Sequence, residues 1–128
     1  MSTTDYAGKE KREFFRYRHV GQANFKEVSK DSSALSEVAQ AITKNLSASG
    51  MLFTSQYPPR LSSMIVLEID YRTTRLCEEI EERVLILNNK LLAKVVRIED
   101  NDNGSFDIGI AFVKKSENLP QNVLTLIK

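Results

Sequence analysis

Tryptophan is absent from the 128 residues, and cysteine and histidine occur once each, as Cys77 and His19. A lone cysteine excludes an internal disulfide framework and a zinc site built from four thiolates. A lone histidine excludes imidazole clusters and a histidine relay. An excess of one charge is also missing: eighteen Lys and Arg face seventeen Asp and Glu, a net charge of +1. That balance counts against a strongly basic nucleic-acid binder. No apolar stretch is long enough to span a bilayer. Residues 1–9 lack the apolar segment of a signal peptide. These absences and the single thiol lead us to expect a cytoplasmic protein without membrane insertion. What remains is 41% hydrophobic and 27% charged residues, enough apolar material for one folded core and too much for wholesale disorder.

The first eight residues are small and polar and read as a loose terminus; residues 9–128 read as one domain. That domain opens with a basic arm, residues 9–18, Lys-Glu-Lys-Arg-Glu-Phe-Phe-Arg-Tyr-Arg, with five basic and two acidic side chains. Phe14, Phe15 and Tyr17 are threaded between the charges, and the two phenylalanines read as packing anchors. Most of the chain beyond the arm reads as strands. Residues 23–28 and 38–44 form two of them. Met64-Ile-Val-Leu-Glu-Ile69 is an apolar run suited to a buried strand, preceded by a loop at Tyr57-Pro-Pro-Arg60. Residues 91–99 form a further strand, and Asn103-Gly104 marks a turn. Beyond it Phe106, Ile108, Ile110 and Phe112 alternate with Asp107, Gly109, Ala111 and Val113, the period of a half-buried strand. Residues 73–87 are ambiguous: Glu78 to Glu82 favours helix, Val84 to Leu87 strand. Asn118 is a candidate cap for a short C-terminal helix with Pro120 in its first turn. Six or so short strands make the fold mainly β, a small antiparallel barrel or sandwich.

Other chemical readings fail on spacing. A calcium loop starting at Asp100 needs Gly at its sixth position and Glu at its twelfth, where Ser105 and Ala111 stand. Glu78 to Glu82 has no neighbouring group to organise acid–base chemistry, and His19 has no partner base or nucleophile. No metal site and no catalytic role is expected.

Two short motifs remain. Arg12-Glu-Phe-Phe-Arg16 sets two arginines four apart, and Asn45-Leu-Ser-Ala-Ser-Gly50 is an Asn-x-Ser-x-x-Gly element after a strand. Alone, the first is a solvated surface and the second a turn whose side chains bond the backbone. Together and in this order they resemble the PilZ family of bacterial receptors for cyclic di-GMP. Leu92-Ala-Lys-Val-Val-Arg-Ile98 and Ile108-Gly-Ile-Ala-Phe112 look like the family's late strands. The resemblance implies a six-stranded antiparallel barrel with a flexible N-terminal arm. It implies a site at Arg12, Arg16, Asn45, Ser47 and Gly50, with the residue at Lys11 setting how many ligand molecules bind.

The chemistry agrees. Guanine presents O6 and N7 as adjacent acceptors that match an arginine fork, and a guanidinium also lies flat on a base or pairs with phosphate. Asn45 offers its amide to a guanine edge, Ser47 a hydroxyl to phosphate or to the turn backbone. Gly50 allows a positive φ or a close approach of the backbone. The resemblance thus implies a cyclic di-GMP-gated adaptor with no other cofactor, whose arm orders on binding and which signals to a separate effector protein. Two competing expectations are a PilZ-like module that binds proteins but no nucleotide, and a small barrel binding single-stranded nucleic acid. Near-neutral charge and few aromatics count against the latter.

Overall fold

The computed structural model describes residues 17–127, with side chains from residue 21 onward. The strand expected at residues 23–28 is part of a longer one, β1 (Tyr17–Glu27). Tyr17 and Arg18, the last residues of the basic stretch, therefore stand in strand register. There follow β2 (Ala39–Leu46), β3 (Gly50–Ser55) and β4 (Met64–Glu68), then a single 3-10 turn (Tyr71–Thr73) and helix α1 (Cys77–Arg83). The chain continues through β5 (Ile86–Leu87), β6 (Lys90–Asp100), β7 (Phe106–Phe112) and helix α2 (Gln121–Ile127).

All pairings are antiparallel. In the order β4-β1-β2-β3-β7-β6, the additional β4–β6 pairing closes six strands into a barrel. The two-residue β5 lies outside that ring and pairs with the start of β6, at Leu91 and Lys90. The expected barrel is present, but its membership differs from the strands read in the sequence. β3, which the sequence reading did not identify, is a ring strand, whereas in the ambiguous stretch 73–87 only Ile86–Leu87 is strand. Its residues Met51, Phe53 and Ser55 are buried while Leu52 and Thr54 are half-buried, so the period-two signal was there but blurred by apolar residues at both phases.

Residues 73–87 divide between the two alternatives. The glutamate-rich part is helix α1, whose first turn carries Glu78 and Glu79 and whose last turn carries Arg83, matching the helix dipole. Ile80, fully buried, drops with Leu76 and Val84 into the barrel end and seals it beside Tyr71. Between β5 and β6, Asn88 and Asn89 have φ of 53° and 63°, the left-handed pair that a two-residue hairpin turn requires.

The interior is filled by Phe25, Leu46, Phe53, Ile65, Leu67, Leu91, Val95 and Ile108, all at or below 1% exposure. A second apolar cluster lies outside the ring. Val66 and Leu92 point away from the interior and meet Val123 and Ile127 of α2, with Val28 and Val113. This explains the uninterrupted apolar runs at 64–67 and 91–93: both faces of those strands are covered, so alternation is lost. The helix begins at Gln121, one step after Pro120, whose carbonyl accepts from Val123 and Leu124 at 3.1 and 3.2 Å. The expected position of Pro120 inside the first turn is thus corrected to the residue before it.

Candidate ligand-binding corner

Asn45, Ser47 and Gly50 occupy one corner, where β2 turns into β3. Ser47 is 3% exposed and stitches that corner from below. Its hydroxyl oxygen accepts from the backbone N–H of Ser49 and of Gly50, each at 3.2 Å, and lies 3.0 Å from the Ser49 hydroxyl. Its own backbone N–H donates to the Gly50 carbonyl at 2.9 Å. Of the two roles expected for this hydroxyl, the turn backbone is the one occupied.

Gly50 needs no positive φ; among described glycines Gly104 alone has one. It is required by proximity: a Cβ at position 50 would stand 2.1 Å from the Ile110 carbonyl oxygen. β3 and β7 therefore approach at a distance only glycine permits, and the Ser49 carbonyl accepts from Phe112 N–H at 2.9 Å.

The entry of β1 lies beside this corner. Tyr17 pairs with Leu46 and Arg18 with Asn45. Arg16 is the next residue toward the N-terminus, but Lys11, Arg12 and Arg16 lie outside the described residues. Following the register sideways gives a row across five strands: Arg18, Asn45, Leu52, Gly109 and Arg97. Leu52 and Gly109 are half-buried and lie between the strands of Asn45 and Arg97, so this part of the outer face is a low floor.

A polar network absent from the sequence expectations adjoins the corner. Asp107 accepts from Thr54 Oγ1 at 2.8 Å, Asn101 Nδ2 at 3.1 Å and Lys44 Nζ at 3.3 Å. The Asn101 hydrogen bond, with those from Thr54 and Lys44 and the Lys44 charge, holds its carboxyl below the ordinary range against the opposing effect of burial. The signal in the sequence was an acid at an outward position of an alternating strand, which is ordinary until its partners are known. Two clefts lie elsewhere. One of about 840 Å³ runs past Val38, Ile42 and Tyr57, and one of about 620 Å³ past Asn24, Asp70 and Asn89. Neither is lined by Asn45, Ser47 or Gly50. Among the described residues no His, Cys, Asp and Glu group is arranged to hold a metal, and no helix is long and apolar enough to cross a membrane.

Comparison with known proteins is consistent with this architecture. The structure of Bacillus subtilis inhibitor of motility (MotI/DgrA) is similar over 93% of this chain and 49% of that one, with 14% identity and a TM-score of 0.51. This chain therefore spans about half the length of that neighbour, and the likeness is one of fold. The PilZ domain of Escherichia coli YcgR, solved with c-di-GMP, is similar over 91% of this chain and 86% of that one, at 13% identity and a TM-score of 0.44. No curated protein matches. The PilZ domain family model matches residues 10–128, from the basic arm through the barrel to α2, and the chain belongs to the PilZ domain family.

Proposed function

We propose that this domain is a receptor for cyclic di-GMP. Arg12 and Arg16 take the guanine edges and phosphates, Asn45 takes a guanine edge, and Ser47 with Gly50 shapes the corner that receives them. The observation that carries the reading is the register of Tyr17 with Leu46 and Arg18 with Asn45. It makes the Arg-x-x-x-Arg element contiguous with the strand that borders the Asn-x-Ser-x-x-Gly corner. A good arginine–guanine pair discriminates by about 1–3 kcal/mol, and two of them with neutralised phosphates support affinity near about 1 μM.

The ligand's two phosphates neutralise the arm's charge and order it against the barrel. Ordering offsets part of the gross binding energy, about 2–5 kcal/mol for segments that fold on binding. The newly ordered surface is what a separate effector protein reads, an order–disorder switch rather than a catalytic step. Lys11, beside Arg12, sets the ligand stoichiometry.

Calorimetry with cyclic di-GMP, against GMP and cyclic di-AMP, tests the reading. We expect binding of cyclic di-GMP alone, abolished in Arg12→Ala and in Arg16→Ala while the circular dichroism spectrum is kept. No heat and no rise in melting temperature with wild-type protein at high ligand would overturn it. Effector capture that ignores the nucleotide would then leave a protein-binding module.

A further inference from the structure

β2 does not alternate cleanly. Thr43 and Leu46 are both fully buried in the interior, yet they stand three residues apart instead of two or four. The register explains this. Thr43 and Asn45 oppose the adjacent residues Phe53 and Leu52 of β3, leaving Lys44 as the extra residue of a bulge. On the other side, His19 and Val20 of β1 span the step that Lys44 alone spans on β2. Without the bulge, strict alternation after Thr43 turns Asn45 into the core and Leu46 to solvent. With it, Lys44 and Asn45 share the outer side, and Asn45 is paired with the outward Leu52.

The bulge residue is tethered. Lys44 Nζ stands 3.3 Å from both carboxylate oxygens of Asp107, two strands away on β7. Thr54 of β3 and Asn101 in the loop between β6 and β7 bond the same Asp107 oxygen, so the carboxylate gathers three strands and that loop. Lys44 is 48% exposed and Asp107 18%, and a pair so open to water adds little to stability. Its position, directly before Asn45, gives it a different use, since bulges re-aim side chains beside functional sites.

We propose that Asp107 is a positioning residue for the ligand site: through Lys44 it locks the β2 bulge in the arrangement that turns Asn45 outward. The inference rests on the reading of Asn45 as a ligand contact, and a double-mutant cycle tests the link. Cyclic di-GMP affinity is measured by calorimetry for wild type, Asp107→Ala, Asn45→Ala and the double variant. Asp107→Ala weakens binding about three- to tenfold in wild type and less than about twofold once Asn45 is alanine, because the two act through one contact. Wild-type affinity in Asp107→Ala, or losses that multiply in the double variant, overturns the proposal. Lys44→Met, which keeps the stem and removes the charge, repeats the cycle should Asp107→Ala fold poorly.

A ligand-free readout separates this inference from the function itself. The Asn45 side-chain amide resonances shift in Asp107→Ala and in Lys44→Met, with other corner amides retained. Unmoved Asn45 resonances overturn the positioning role whether or not the nucleotide binds. Absence of binding by wild type sinks the receptor reading alone.

Discussion

Two outer faces of the same barrel are built in opposite ways. On the β4–β6 side, Val66 and Leu92 face outward and are roofed by Val123 and Ile127 of α2, so both surfaces of those strands are dry. On the β2–β3–β7 side, the outward positions hold Lys44, Asn45, Thr54 and Asp107 above a floor of Leu52 and Gly109, with no helix among the described residues over them. The first face stabilises the ring through burial, about 1.5–3 kcal/mol for each fully covered Val or Leu. The second adds little to stability and keeps its polar groups in contact with solvent. A small barrel can devote one wall to holding together and leave the opposite wall polar and open to solvent.

That contrast can be broken at its strongest point by Leu92→Ala. Leu92 is fully buried, and the cavity left under α2 should cost about 2–5 kcal/mol in urea unfolding. Cyclic di-GMP affinity in the surviving folded protein should be unchanged. A large affinity loss would mean that the two faces are coupled.

Gly50→Ala sharpens the comparison on the open face. Its methyl group collides with the Ile110 carbonyl and forces β3 from β7, with an expected loss of about 1–3 kcal/mol. Stability equal to wild type would show that the strands separate freely. The open wall would then lack the tight seam inferred for it.

The smallest expected effect concerns Glu27, at the far end of β1. Glu27 is 6% exposed, and its carboxylate accepts from Tyr57 Oη at 2.6 Å and Arg60 N–H at 2.9 Å, with Arg60 Nε at 3.0 Å. Burial pushes its pKa up, but the hydrogen bonds from Tyr57, Arg60 and Ser63 and the Arg60 charge together bring it below the ordinary 4.5. A lowered folded pKa contributes stability above the unfolded value, and that contribution is lost as pH falls below about 4.5 through the folded pKa. Glu27→Gln should cost about 1 kcal/mol at neutral pH and flatten the acid side of the melting-temperature profile. An unchanged acid limb would assign that sensitivity to other carboxylates.

Much of the ring was legible in residue order. The alternation of Phe106 to Phe112, the run at Met64 and the Asn103-Gly104 turn each carry a local signature that matches the element formed. Residues 73–87 resisted because a seven-residue helix and a two-residue strand are both too short for periodicity to separate them. β3 was missed because Met51, Leu52 and Phe53 are apolar at both phases. Of the candidate site, the Ser47 turn and the requirement for glycine at 50 were foreseeable from residue type. The Asp107 tether was not, because its partners come from β2, β3 and the loop between β6 and β7.

Composition and local pattern by themselves determined that this chain makes a β-rich domain, and the order of its Arg-x-x-x-Arg and Asn-x-Ser-x-x-Gly elements carried the resemblance to the PilZ family. Tertiary structure alone decided which strands close the ring, that α2 seals the outside of β4 and β6, and that Asn45 faces outward. The reason is geometric. An inserted residue such as Lys44 leaves no mark in its own neighbourhood; its effect exists only relative to Phe53 and Leu52 on the strand opposite.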